Sequence, residues 1–186
     1  MWICKNIDIP RQPRNDIANQ IYHVINRSSS RVRIFLDDND YELFEQTLIE
    51  AKKKSQIRLL GYITMPNHFH LVPYPHLDGQ LSKFMQWFGT TFTRRWHAKH
   101  RTIGTGHLFQ GRYKAIMVKD ESYLLQLMLY IERNALKAGL VDEAQDWRWS
   151  SLWIREHGTL EQKSLLAPWP IEIPNNYLDL VNEWIR

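Results

Sequence analysis

The stretch Met65-Pro66-Asn67-His68-Phe69-His70-Leu71 constrains the chain more than any other. The runs around it, residues 57–63 and 69–72, are apolar and rich in strand-forming residues. Side chains alternate across a strand, so His68 and His70 share one face and Phe69 takes the other. Residues two apart on a strand are separated by about 7 Å, so both imidazoles can converge on one ion. The same pair also fits a strand that binds no metal, and the decision rests on residues far down the chain. Pro73 and Pro75 stop the second strand, because proline cannot donate to a ladder.

The other elements read off periodicity and punctuation. Residues 21–26 form a first strand, and residues 27–31 a loop whose cations and hydroxyls can meet phosphate. Asp37-Asp38-Asn39-Asp40 places acids where a helix N-terminus favours them. Tyr41, Phe44, Leu48 and Ala51 follow at helical spacing, with an end near Lys54-Ser55. Leu81, Phe84, Met85, Phe88 and Phe92 make the apolar stripe of a second helix, from residue 81 to about 97. Residues 108–118 read as a strand or hairpin, with Arg112 and Lys114 on one face and Tyr113 on the other. Asp120-Glu121-Ser122 opens a last helix, from Tyr123 to about Ala138, with Gly139 as its stop. The first six elements fit a β-α-β-β-α-β arrangement. The expected fold class is therefore α+β: a ferredoxin-like antiparallel sheet with packed helices and a further C-terminal helix. Two helices would take one sheet face and leave the other free for a metal and a DNA strand. The last helix would close over that free face or its edge.

The net charge of +4 says less than its distribution. Residues 79–119 carry eight basic side chains and no acidic one, whereas residues 142–186 carry eight acidic and four basic. A polyanion would meet the middle of the chain. A merely solvated face would mix signs. Arg94, Arg95, Arg112 and Lys114 are the expected DNA-backbone contacts. Trp96, beside the arginine pair, is either a base-stacking ring or core. Cys4 is the only cysteine, which excludes an internal disulfide and a cysteine zinc site. There is no run of 18 apolar residues, so no membrane span is expected. The first residues lack the apolar core and cleavage site of a signal peptide, and the expected location is cytoplasmic, at the nucleoid when DNA is bound.

Tyr123, Leu127, Tyr130 and Asn134 recur at helical spacing on the last helix. Tyr130 and Asn134 are four apart and share a face on adjacent turns. A metal held by two histidines wants a third oxygen or nitrogen ligand, and a nucleophilic hydroxyl must sit nearby. Asn134 and Tyr130 can supply these. A phenol is a weak nucleophile near neutrality, with a pKa of about 10, and gains when a divalent cation polarises the phosphate. Without the histidines Tyr130 would read as an amphipathic core residue.

Gly61-Tyr62-Ile63-Thr64-Met65-Pro66-Asn67-His68-Phe69-His70-Leu71-Val72 resembles the metal motif of the single-tyrosine HUH transposases of the IS200/IS605 type, and more closely their REP-associated tyrosine transposase branch. Tyr22-His23-Val24-Ile25-Asn26-Arg27 resembles that branch's first strand, and Phe35-Leu36-Asp37-Asp38 the lead into its first helix. Gly106-His107-Leu108-Phe109-Gln110-Gly111-Arg112-Tyr113-Lys114 resembles the stretch before its last helix. Tyr123-Leu124-Leu125 and Tyr130-Ile131-Glu132-Arg133-Asn134 resemble the nucleophile helix, and Trp147-Arg148-Trp149-Ser150-Ser151 the terminal signature. The likeness covers roughly residues 18–153, and the shared order and spacing make it specific. It implies an RRM-like fold with a C-terminal catalytic helix, and a metal-dependent single-strand DNA endonuclease and strand transferase acting on imperfect hairpins of palindromic repeats. His68 and His70 fall on the metal histidines, Tyr130 on the nucleophile that forms a 5′-phosphotyrosine, and Asn134 on the polar residue one turn later that can complete the site. The implied cofactor is a divalent metal, Mg²⁺ or Mn²⁺, with no nucleotide cofactor because the phosphotyrosine conserves the bond energy. Two positions depart from the pattern. Ala135-Leu136 follow the asparagine where the family usually has a proline, which leaves the helix end less constrained. Phe69 replaces a small aliphatic residue, a packing change on the opposite face.

The implied organisation is a polar arm over residues 1–18, the nuclease domain over 19–153, and a docked C-terminal tail over 154–186 in which residues 177–185 form a short helix. A monomer is favoured over a helix-exchanged homodimer. The alternatives are a catalytically silent, domesticated protein that binds DNA or RNA hairpins, and a structural zinc protein on the two histidines. Structural zinc wants four protein ligands. The other histidines, at positions 23, 76, 97, 100, 107 and 157, show no paired spacing, and His107 is the one that could approach the pair.

Overall fold

A computed structural model of the chain describes residues 16–183, so Cys4, most of the N-terminal arm and Trp184-Ile185 lie outside the described residues. Strands β1 (Tyr22–Arg27), β2 (Arg58–Met65), β3 (His68–Tyr74) and β4 (Lys114–Met117) form one sheet in the order β2-β3-β1-β4. All three pairings are antiparallel. With helices α1 (Asp38–Ser55) and α2 (Gln80–Lys99) between strands, this is the expected ferredoxin-like α+β arrangement.

The capping chemistry accounts for the helix bounds. The Asp37 carboxylate accepts from the Asp40 N–H at 3.0 Å and starts α1, a cap of about 1 kcal/mol. Gln56, with φ 55°, ends it. Gly79, with φ 73°, turns the chain into α2, a backbone conformation that costs glycine least. The stripe on α2 then packs against α1 and one sheet face. Phe44 stands with its ring centroid 5.1 Å from Phe69, 5.0 Å from Phe88 and 5.3 Å from Phe92. Trp96 is half-buried against this core and donates from its indole N–H to the Ile34 carbonyl, so it serves packing.

The last helix closes over part of the opposite face as expected, and later elements cover more of it than expected. Leu60, Ile63 and Val72 point to it and cannot be left to water. Leu124, Leu127, Met128 and Ile131 of α3 (Glu121–Glu132) cover them, together with Leu152 of α5 (Ser151–His157), Trp169, and Tyr177 and Val181 of α6 (Tyr177–Asn182). The cover lies on the β2 side and stops beside the histidines. Gly61 admits it: a Cβ there would stand 2.4 Å from the Met128 Cε and 3.1 Å from the Ser151 Oγ.

Two further expectations are corrected. The expected strand or hairpin over residues 108–118 is a strand only at Lys114–Met117, and residues 108–113 form a loop whose one β-bridge is Phe109 to Ser28. The helix expected from Tyr123 to Ala138 is broken at Arg133 into α3 and α4 (Asn134–Lys137). The Asn134 amide donates to the carbonyls of Tyr130 (2.9 Å) and Ile131 (3.0 Å), a side-chain bond that competes with helix continuation. Gly139, with φ 65°, does end α4: its N–H reaches the Leu136 carbonyl and the next N–H, of Leu140, reaches Ala135, a Schellman closure.

Candidate active site

The alternation of β3 sends Phe69 into the aromatic core and leaves His68 and His70 on the other face, with ring centroids 5.1 Å apart. The register then delivers a third imidazole. His23 of β1 stacks on His70 at 5.1 Å, and its Nε2 lies 2.8 Å from His70 Nδ1. This histidine was not singled out by sequence spacing, since 47 residues separate the pair. The available signal was the strand pattern alone: Tyr22 and Val24 face the core, so His23 faces away.

Helix α3 brings Tyr130 to the same place. Its ring stands edge-on to His70 at 5.8 Å and to His23 at 6.3 Å, and the residue is 47% exposed. The seat beneath α3 is polar as well as apolar. Glu132 is fully buried, and its carboxylate accepts from the Tyr177 hydroxyl at 2.5 Å and the Ser151 hydroxyl at 3.0 Å. Burial pushes the Glu132 carboxyl up to about 7 against these two bonds and the Arg155 charge. The Arg133 guanidinium donates to the carbonyls of Leu180 and Val181.

Metal-ligand chemistry can be tested on the free ring nitrogens. His68 Nδ1 lies 2.7 Å from Asn67 Oδ1, an acceptor, so Nδ1 carries the proton and Nε2 keeps its lone pair. In the tautomer in which His70 Nδ1 donates to His23, His70 Nε2 also keeps its lone pair, and that atom is buried with no hydrogen-bond partner. Burial lowers His68 to about 4 with Arg27 adding to it, lowers His23 to about 4, and lowers His70 to about 2 with His23, His68 and Arg27 adding. The rings are neutral near pH 7, the form that ligates metals. Among the described residues no three His, Cys, Asp or Glu side chains are placed to hold a metal ion. His23 is engaged with His70. Because the Asn134 amide nitrogen is committed to two carbonyls, its Oδ1 is the atom left to accept or ligate.

The four expected DNA-backbone contacts fall in three places. Arg94 and Arg112 line a groove of about 1060 Å³ between α2 and residues 107–113, with Asn26 and Gln110. Lys114 pairs with Ile25 across β1 and β4, which puts it on the histidine face. Arg95 is turned to α1, where it grips Glu50 through two bonds of 2.9 and 2.8 Å. Tyr113 packs against the aromatic core, on the side away from Lys114.

The family profile described as "Transposase IS200 like" matches residues 16–134. No curated protein sequence matches the chain. Among solved structures, a REP-associated tyrosine transposase bound to a REP hairpin is similar at a TM-score of 0.63 and 18% identity, over 88% of this chain and 92% of that one. At that identity the likeness shows the fold. A candidate transposase from Deinococcus radiodurans R1 reaches a TM-score of 0.48 at 20% identity, over 66% of this chain and 95% of that one, too low a score to carry an argument. No helix of the described residues is long and apolar enough to cross a membrane.

Proposed function

The chain belongs to the IS200-like transposase family, and on that premise we propose that it cuts and rejoins single-stranded DNA at imperfect hairpins of palindromic repeats through Tyr130. The observation that supports this best is the half-exposed Tyr130 ring standing 5.8 Å from His70 on α3. The Tyr130 oxygen attacks the scissile phosphorus, a Tyr–O–P bond forms, and the bond from phosphorus to the 3′-oxygen breaks. The 5′-phosphate side stays on the protein and the 3′-oxygen leaves as a hydroxyl, which can later reverse the step on the same or another strand. One phosphoester replaces another, so no nucleotide cofactor is consumed.

The family chemistry is divalent-metal-dependent. A Mg²⁺ or Mn²⁺ ion held by His68 and His70, with Asn134 as third ligand, would supply Lewis-acid polarisation of the phosphate. Asn67 and His23 orient the two ligand rings, the office that outer hydrogen bonds perform at most histidine metal sites. Arg94, Arg112 and Lys114 hold the DNA backbone, and Arg95 adds less because Glu50 neutralises it. The Glu132–Tyr177 contact ties α3 to its own chain, which favours a monomer.

The test incubates the full-length protein with a single-stranded hairpin oligonucleotide and Mn²⁺. A covalent adduct with the nucleotide on Tyr130 is expected by mass spectrometry. Tyr130→Phe should remove cut and adduct while leaving hairpin affinity nearly unchanged. A nucleotide on Tyr123 or Tyr113 refutes the assignment. Hairpin binding without any cut supports the silent-binder reading instead.

A further inference from the structure

Arg27 ends β1 directly across from His68. Residues paired across an antiparallel ladder share a face, with Cβ atoms about 4.5–5.5 Å apart. The Arg27 side chain therefore stands on the face of His68, His70 and Tyr130, while its neighbour Asn26 lines the groove on the other side. Its backbone is fixed: the N–H donates to Asn26 Oδ1 at 3.0 Å, and the carbonyl accepts from the Gln110 N–H at 2.9 Å. Its charge has no counterpart. Among the described residues the ion pairs engage Arg95, Lys99, His100 and Arg148, and none engages Arg27. The four strands contain no Asp or Glu at all.

A half-buried guanidinium beside two metal-type imidazoles is unfavourable as it stands, because it repels any cation they bind. An anion that touches both relieves the repulsion. A phosphodiester is such an anion, and the planar guanidinium fork matches two of its oxygens. Lys114, opposite Ile25 and one strand further out, offers a point charge without that fork.

We propose that Arg27 binds the non-bridging oxygens of the scissile phosphate and stabilises the charge that builds on them as Tyr130 attacks. The assignment rests on the tyrosine reading given above. In the step, the Tyr130 Oη–P bond forms, the P–O3′ bond breaks, and the phenolic proton is accounted for on the released 3′-hydroxyl. Arg27 exchanges no proton in this step. It supplies a fixed charge where negative charge develops.

The experiment compares full-length wild-type, Arg27→Gln and Arg27→Lys proteins on a hairpin oligonucleotide and on the same oligonucleotide with a methylphosphonate at the scissile linkage. Arg27→Gln should slow single-turnover adduct formation about 100-fold or more on the phosphodiester, with Arg27→Lys in between. On the methylphosphonate the Arg27→Gln penalty should shrink to within about twofold, because the charge it served is gone. Mn²⁺ binding to the DNA-free protein, read by electron paramagnetic resonance, should be unchanged or tighter in Arg27→Gln. An equal penalty on both substrates, or Mn²⁺ binding lost together with rate, assigns Arg27 to supporting the strand and overturns the proposal. So does wild-type speed in Arg27→Gln. Absence of an adduct in the wild-type protein is a separate failure, which removes the tyrosine chemistry and Arg27's role with it.

Discussion

Phe69 and His70 are consecutive on β3 and equally buried, at 1% and 2% exposure, yet they look into different surroundings. Phe69 meets the rings of Phe44, Phe88 and Phe109. His70 touches two histidines and a tyrosine, and keeps one ring nitrogen without a partner. Burial is thus no guide to role on this sheet. What separates the faces is the chemistry gathered on each, phenyl rings on one and imidazole and phenol rings on the other. An unmet buried polar atom costs about 1–3 kcal/mol. The aromatic face offsets that cost and leaves the histidine face open to chemistry.

The comparison breaks most sharply at the histidines. His68→Ala and His70→Ala should each abolish adduct formation at every Mn²⁺ concentration, with thermal melting kept or raised. Full cleavage by both variants across a metal titration would remove the metal assignment. Phe69→Ala is the mirror experiment one residue away. It should cost about 3–5 kcal/mol of stability, measured by denaturant unfolding, while the fraction still folded forms adduct at the wild-type rate. A catalytic defect per folded molecule would mean that the faces are coupled. The smallest effects belong to the cations. The Arg94→Gln, Arg112→Gln double variant should lower the salt slope of single-strand binding by roughly 1.4, at about 0.7 per lost contact. Arg95→Gln should move it by less than one contact and cost under about 1 kcal/mol of stability, as an exposed ion pair does. An Arg95 slope equal to that of Arg94 would show that DNA displaces Glu50.

These contrasts also show what the chain discloses before it folds. Period-two alternation is local, so the opposite placement of Phe69 and the His68/His70 pair was legible from seven residues. The α2 stripe and the Asp37 cap are local too. Sheet order and register are not. His23 came to His70 only through the pairing of β1 with β3, and Arg95 found Glu50 45 residues away on another helix. The break at Arg133 escaped because Asn134 reads as a possible ligand and also bonds back to its own helix, and the sequence does not rank the two. Residues 108–113 carry strand-like Leu108, Phe109 and Tyr113, yet their side chains pack inward while the backbone loops away from the ladder.

The bonds beneath α3 have a consequence for how the protein is made. Glu132 and Arg133 are held by Ser151, Tyr177, Leu180 and Val181. While the chain is being translated, the histidine strands and both helices of the aromatic face can leave the ribosome and assemble first. The carboxylate of Glu132 then still faces water, and the end of the helix that carries Tyr130 lacks the partners that hold it. At about 5–20 residues per second, several seconds of synthesis separate the tyrosine from the residues that seat it. A nascent chain caught in that interval presents a finished histidine strand, while the end of α3 still waits for Ser151, Tyr177, Leu180 and Val181.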